Sequence, residues 1–114
     1  MTIPSIWNDL ERVIAERKAN RPVKRSYVAS LFDGGVPAIG AKVIEEAAEV
    51  VEAADETGEQ GREHLVKEVA DLLFHTIVML GYKDIPFSEV EAELGRRFGI
   101  GGIEEKEART TAGG

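Results

Sequence analysis

The sequence predicts an all-α protein built as a four-helix bundle. Two long segments, 37–56 and 62–82, are apolar around most of the helical circumference, and two shorter helical segments, 5–19 and 87–98, flank them. Turn-forming stretches separate the segments, and the sequence contains no convincing pair of strands. With 114 residues, 43% of them hydrophobic, the chain is long enough for one domain with its own core.

The region between the first two helices is ambiguous. The segment YVASLFDGG, 27–35, fits either a short strand or one to two turns of helix that end at Gly34 and Gly35. The long helix is expected to begin near Pro37, because proline suits the first turn of a helix.

The carboxyl-terminal part contains a short helix and a tail. In the last helical segment, Ser88 and Glu91 have the spacing of a capping box. Residues 99–114 are rich in glycine and charge, which predicts a flexible tail beyond a helical domain at 1–98.

Composition excludes several classes of function. The net charge is −7, from 21 acidic and 14 basic residues, which argues against nucleic-acid binding. The chain has no cysteine, so disulfides and thiolate chemistry are excluded, and a reducing, cytoplasmic location is expected. No apolar run is long enough to span a membrane, and the first residues are amphipathic rather than signal-like.

The stretch GGVPAIGAKV resembles a nucleotide-binding phosphate loop only superficially. Gly35 and Gly40 have the required spacing, but Ala41 precedes Lys42, and Val43 stands where Ser or Thr should hold magnesium. No clear strand precedes it, so we expect an ordinary loop that leads into a helix.

The first long helix carries an acidic stripe on an otherwise apolar surface. Lys42, Glu45, Glu46 and Glu49 share an arc of roughly 100°, at ~100° of rotation per residue. A solvated helix face usually mixes Lys with Glu, whereas these like charges repel each other unless a positive group lies among them.

The second long helix repeats this arrangement. Glu68, Asp71 and His75 interrupt an apolar run and fall within roughly 60° of one another. If the two helices pack antiparallel, the stripes face each other and form an all-oxygen cluster suited to Mg²⁺ or Mn²⁺. The alternative is two solvated stripes; a di-iron site is weaker, because the chain has no Glu-x-x-His motif. The candidate metal ligands are Glu46, Glu49, Glu68 and Asp71.

The two histidines and the basic stretch have ordinary explanations as well as functional ones. A lone histidine on an apolar helix is more often a hydrogen-bonded core residue than a ligand, which applies to His75. His64 is expected at the surface. Arg21, Lys24 and Arg25 form a local basic cluster that is either a solvated loop or a contact for an anionic substrate.

The motifs EEAAE at 45–49 and EVAD at 68–71, separated by 18 residues, resemble the signature of the all-α, MazG-like nucleotide pyrophosphohydrolases. The segment 26–54, with DLLFHTIVML and ELGRR further on, is similar to the phosphoribosyl-ATP pyrophosphohydrolase family. The resemblance covers roughly residues 5–98.

This resemblance implies the second step of histidine biosynthesis, the hydrolysis of phosphoribosyl-ATP to phosphoribosyl-AMP and pyrophosphate with Mg²⁺. It also implies a homodimer in which helices of both chains pack together. Glu45, Glu46 and Glu49 are the candidate catalytic residues, and Glu45 would complete the metal site or orient the attacking water. The candidate substrate-binding residues are Lys42, Arg25, Ser26 and Tyr27, with the last three placed to hold the phosphoribosyl end.

The sequence is also compatible with two other functions. A general pyrophosphohydrolase of (d)NTPs would share the carboxylates and the metal and differ in its substrate. A non-catalytic helical dimerisation module would bind no metal and would tolerate Glu49→Gln.

Overall fold

The computed structural model describes residues 5–100, and this part of the chain is all-α. The all-α prediction is confirmed, and the strand alternative for 27–35 is wrong, since residues 5–100 contain no β-strand. Of the predicted tail, 101–114 lie outside the described residues. No described helix is long and apolar enough to cross a membrane. The helices are α1 (Ile6–Ala19), α2 (Tyr27–Ala54), α3 (Gly58–Tyr82) and α4 (Phe87–Phe98).

Helix α2 is broken at Gly35, two residues before Pro37. Gly35 has φ 68° and ψ −158°, a conformation that is essentially restricted to glycine. A Cβ on Gly34 would collide with the side chain of Ala38, so the turn needs small residues at both positions. The double glycine therefore marks a sharp turn between two helical segments.

The two segments of α2 run in opposite directions along α3. Before the break, Tyr27 lies against Phe74 and Phe32 stacks on Tyr82, so the chain advances toward the end of α3. Beyond the break the order reverses, because Glu46 lies beside the earlier part of α3. The break thus folds the start of α2 back toward the acidic stripe.

A connection of only three residues joins α2 to α3, so the two helices form an antiparallel pair over the second segment of α2. Helix α3 begins at Gly58, four residues before the predicted start at 62. The turn predicted between the two long segments is therefore shorter than expected, and Gly61 is already helical. A Cβ there would come within 2.9 Å of the Glu56 carbonyl oxygen, so this glycine permits close packing rather than a turn.

The core of the first structural unit, which ends at Asp84, lies among α1, α2 and α3. Burial of aliphatic and aromatic side chains supplies its main stabilisation. Lys18 ties α1 to the end of α3, with its Nζ 2.9 Å from the Gly81 carbonyl oxygen and 2.9 Å from Asp84 Oδ1. The buried apolar residues are Ile14, Val28, Ala29, Leu31, Phe32, Ile39, Ala53, Ile77 and Val78.

Helix α4 belongs to a second unit that begins at Ile85. Its N-cap is Pro86, and Ser88 is already the second helical residue, so the predicted capping box is wrong. The helix ends at Phe98, and its C-cap Gly99 has a left-handed conformation with φ 66°, which is typical of a helix terminus.

Candidate active site

The second segment of α2 and the middle of α3 bring three carboxylates together. Glu46, Glu68 and Asp71 each offer an oxygen, and these oxygens all lie within 4.8 Å of one another. Glu68 and Asp71 are three positions apart on α3, which places both on one face of that helix, toward Glu46 of α2. Glu46 is only 8% exposed, whereas Asp71 is open to solvent. The predicted meeting of the acidic stripes is confirmed for these three residues, which we call the acidic triad.

One oxygen of each glutamate in the triad is buried without a partner. Glu46 Oε2 and Glu68 Oε2, here called the inner oxygens, have no hydrogen-bond partner within residues 5–100. Two ionised carboxylates have no hydrogen to share, so they cannot satisfy each other. Such a pair requires either a shared proton or a cation.

The electrostatics of Glu46 reflect this arrangement. Burial raises the pKa of the Glu46 carboxyl above its ordinary value, and the charges of Asp71 and Glu49 act in the same direction. Contact with Glu68 acts against them. A cation bound at the triad would reverse this balance and hold Glu46 ionised.

Glu49 lies beside the acidic triad but is not one of its three members. Its carboxyl contacts that of Glu68, and this contact, followed by burial, raises the pKa of Glu49. Glu49 is half-buried and one turn beyond Glu46 on α2. It is therefore near enough to the triad to contribute a further oxygen.

Lys42 and Glu45 form an ion pair at the edge of the site. Lys42 Nζ lies 3.4 Å from Glu45 Oε2, and this contact raises the pKa of Lys42. Both side chains are exposed by more than a third. Lys42, the residue predicted to contact phosphate, thus has an exposed ammonium group, and in this structure the group is paired with the carboxylate of Glu45.

His75 is a hydrogen-bonded core residue, as a lone histidine on an apolar helix usually is. Its side chain is 5% exposed, with Nδ1 2.9 Å from the Asp71 carbonyl oxygen and Nε2 2.7 Å from the Tyr27 hydroxyl oxygen. His75 thereby joins the start of α2 to the backbone of the acidic triad.

Arg25 and Ser26, which are predicted to contact the phosphoribosyl end, interact with other residues of the protein in this structure. Arg25 Nη2 lies 2.8 Å from Asp33 Oδ2, and Ser26 Oγ accepts a hydrogen bond from the Ala29 amide. Ser26 is thus the N-cap of α2. A groove of about 310 Å³ lies beside this region; Glu16, Arg17, Asn20, Lys24 and Ser26 line it.

The family model described as phosphoribosyl-ATP pyrophosphohydrolase matches residues 7–98 of the chain. This chain belongs to the phosphoribosyl-ATP pyrophosphohydrolase family. Among similar proteins, the phosphoribosyl-ATP pyrophosphatase of Geotalea daltonii is 54% identical over 99 residues, 86% of this chain and 89% of that protein. The enzyme of the same name from Novosphingobium aromaticivorans is 50% identical and covers 89% and 91% of the two chains. The phosphoribosyl-ATP pyrophosphatase of Rhodopirellula baltica is 45% identical over a stretch that covers 88% of this chain and 82% of that protein.

The segment that matches the phosphoribosyl-ATP pyrophosphohydrolase family contains a contact that the sequence analysis missed. His64 Nε2 lies 3.4 Å from Glu68 Oε1, and its Nδ1 lies 2.9 Å from Glu56 Oε2. The contact with Glu56 raises the pKa of His64. The spacing of four residues between His64 and Glu68 could have revealed the first contact, because such side chains are neighbours on a helix.

Proposed function

We propose that this protein hydrolyses phosphoribosyl-ATP to phosphoribosyl-AMP and pyrophosphate, the second step of histidine biosynthesis. The reaction is supported by membership of the family and by relatives called phosphoribosyl-ATP pyrophosphatase at 45–54% identity. The observation in the structure that carries the proposal is the acidic triad with its two inner oxygens. This pathway step is proposed to take place in the cytoplasm.

Mg²⁺, or Mn²⁺ in its place, is the cofactor that fits these residues. The donors are carboxylate oxygens, which both ions prefer, and the inner oxygens lack any other partner within the described residues. Such an ion supplies positive charge that offsets the repulsion between a polyphosphate and an acidic site. The proposed ligands are Glu46, Glu49, Glu68 and Asp71.

Lys42 and Glu45 act together in this proposal. An exposed ammonium group at the edge of the site can leave Glu45 and bind a substrate phosphate, because exposed ion pairs are weak. Glu45 is then free to orient the attacking water or to add an oxygen to the metal site. Glu46 and Glu49 complete the proposed catalytic group, because their carboxylates would hold the ion.

The phosphoribosyl end is proposed to bind where α2 begins. Ser26 lines the 310 Å³ groove, and Arg25 stands next to it in the sequence. Because Arg25 is exposed and paired with Asp33, a phosphate can compete for its guanidinium group. Tyr27, which follows Ser26 in the sequence, is a further residue proposed to contact the substrate.

We also propose a homodimer. Ile44 and Val51, on the helix that carries the acidic stripe, are 73% and 71% exposed. Ile77 is 3% exposed, so the core of the single chain accommodates it but leaves the two α2 residues at the surface. A second copy of the chain would cover this apolar surface.

Pyrophosphate release from phosphoribosyl-ATP and from a panel of NTPs and dNTPs tests the proposal. We expect Mg²⁺-dependent release from phosphoribosyl-ATP, loss of activity in Glu46→Gln, and normal activity in Glu63→Gln, a change to an exposed residue of α3. Pyrophosphate release from dNTPs alone would support the proposed site but show that the proposed substrate is wrong. If nothing is hydrolysed, and Glu46→Gln behaves like the parent protein, the proposal is wrong.

A further inference from the structure

Tyr27, the first residue of α2, has an unusually constrained position for a residue near the surface. Its side chain is 49% exposed, yet its hydroxyl oxygen lies 2.7 Å from Nε2 of the buried His75. A surface tyrosine normally directs its hydroxyl to water and leaves its ring free to move. Here the polar end is fixed inside the protein and part of the ring remains exposed.

The direction of the hydrogen bonds follows from the partner of the other ring nitrogen. His75 Nδ1 lies 2.9 Å from the carbonyl oxygen of Asp71, which can only accept, so Nδ1 carries the hydrogen. In the neutral imidazole, Nε2 must then accept, and the Tyr27 hydroxyl donates. The hydroxyl hydrogen is therefore committed to His75, and the ring is the part of Tyr27 that a ligand can reach.

Two aromatic neighbours hold the ring of Tyr27. Its centroid lies 6.4 Å from that of Phe74, with the planes 20° apart, and 5.8 Å from that of His75, with the planes 83° apart. Phe74 and His75 also contact each other, at 5.0 Å between centroids. Packing and the hydrogen bond together leave the ring little rotational freedom, which lowers the entropy lost when a ligand binds.

The ring also lies close to the proposed catalytic groups. The hydrogen-bond chain from Tyr27 ends at Asp71, whose carboxylate belongs to the acidic triad. Burial raises the pKa of Tyr27, and the nearby charge of Lys42, the proposed phosphate contact, acts in the opposite direction. A substrate whose phosphates lie between Lys42 and the triad would bring its adjoining groups to this ring.

We propose that the exposed part of the Tyr27 ring is a stacking surface for the nucleobase of the substrate, and that His75 is the positioning residue that fixes this ring. The inference rests on the proposed function. A flat, rigid aromatic surface suits the flat face of a purine, whereas a sugar phosphate requires hydrogen-bond donors that the committed hydroxyl does not offer.

Two probes distinguish the base from the sugar phosphate. AMP and ribose 5-phosphate share a ribose and a phosphate, and only AMP carries a base. We would measure their binding to the full-length protein by calorimetry, together with kcat and KM for phosphoribosyl-ATP. For Tyr27→Leu we expect AMP affinity to fall and KM to rise about 10- to 100-fold, with kcat little changed. Ribose 5-phosphate affinity should stay the same, and Tyr27→Trp should retain AMP binding.

The role of His75 needs a test that a merely structural role would not pass. His75→Leu should raise KM while kcat changes little, and His75→Gln, which offers an acceptor, should restore part of the affinity. The double variant Tyr27→Phe/His75→Leu should be no worse than the poorer single variant, because both changes break one hydrogen bond. Circular dichroism of each variant establishes that it is folded.

Three results would overturn the inference. The first is unchanged AMP affinity in Tyr27→Leu or an absence of AMP binding by the parent protein. The second is loss of ribose 5-phosphate binding alone, which would assign the ring to the sugar phosphate. The third is a change from dimer to monomer in Tyr27→Leu, which would assign it to a subunit interface. If phosphoribosyl-ATP is not hydrolysed although AMP binding depends on the ring, the proposed function fails and the stacking surface stands.

Discussion

Glu46 on α2 and Glu68 on α3 hold carboxylate oxygens within 4.8 Å of each other, and each buries one oxygen for which residues 5–100 provide no hydrogen-bond partner. Folding therefore brings together two like charges that are dispersed in the unfolded chain. A repulsive pair of this kind lowers stability unless a cation or a proton lies between the groups. The same pair is consequently both a weak point of the fold and the basis of the proposed metal site.

Replacement of Glu46 by Gln should separate these two roles. The uncharged amide removes one buried like charge and can donate a hydrogen bond to Glu68, so the Tm of the metal-free protein should rise. Hydrolysis should fall more than about 100-fold, because even residues that only support metal ligands cost about 10- to 100-fold when changed. Calorimetric melting in EDTA and a pyrophosphate-release assay measure the two effects.

Glu63→Gln is the matched control for Glu46→Gln, since Glu63 is exposed on α3 and its replacement removes the same charge from the chain. We expect its Tm and activity to match those of the parent protein. A Glu46→Gln variant with lower Tm and full activity would contradict both proposed roles of the carboxylate.

Metal ions should stabilise the parent protein in a concentration-dependent manner. A ligand that binds only the folded state contributes about 2.7 kcal/mol at a hundred times its Kd, which corresponds to a Tm rise of about 10 °C for a domain of this size. Mg²⁺ and Mn²⁺ should both produce the rise, and Glu68→Gln should reduce it. Titration followed by melting, with Mn²⁺ binding measured by electron paramagnetic resonance, tests this. An equal rise in Glu68→Gln would place the bound ion elsewhere.

The sequence predicted a cluster of Glu46, Glu68 and Asp71 with Glu49, and the first three meet as the acidic triad because they lie on regular helices. Rotation of about 100° per residue fixes which side chains share a face, and a short connection forces the two helices to be antiparallel. Glu46, Glu68 and Asp71 could therefore be placed together from their spacing alone.

Features that depend on a single backbone torsion could not be predicted in the same way. The double glycine indicated that a segment ends near Gly35, but not that the chain reverses there and brings Tyr27 back beside α3. Tyr27 and His75 are 48 positions apart in the sequence, and their contact follows only from that reversal. The same limit explains the capping box wrongly assigned to Ser88, since the position of a helix start depends on local backbone geometry.

Gly35→Ala should destabilise the protein by about 2 kcal/mol or more. The residue has φ 68° and ψ −158°, which is strained for alanine, and a Cβ would lie 3.1 Å from the Tyr82 hydroxyl oxygen. Gly58→Ala is the matched control, because Gly58 has φ 77° with nothing within 4 Å of a Cβ, so only about 1 kcal/mol of backbone strain is expected. Urea unfolding gives both values. Equal losses in the two variants would show that contact with Tyr82 contributes nothing.

Glu93 on α4 should keep its charge to unusually low pH. Arg96 Nη2 and Arg97 Nε each lie 2.6 Å from Glu93 Oε2, and these contacts, that of Arg96 above all, lower the pKa of Glu93 from 4.5 to about 2. Because the folded-state pKa is the lower one, the stabilisation from Glu93 is complete above pH 4.5 and is lost as pH falls toward 2.

Carbon-13 NMR of the Glu93 carboxyl group measures this pKa directly. Arg96→Gln should move the midpoint of the titration upward by a larger step than Arg97→Gln, because Arg96 makes two contacts, at 2.6 and 3.2 Å, and Arg97 makes one. The double variant should titrate near the ordinary value for glutamate, since both contacts are removed. A midpoint near 4.5 in the parent protein would mean that solvent screens these exposed ion pairs completely, and the helix would then show no acid sensitivity from Glu93.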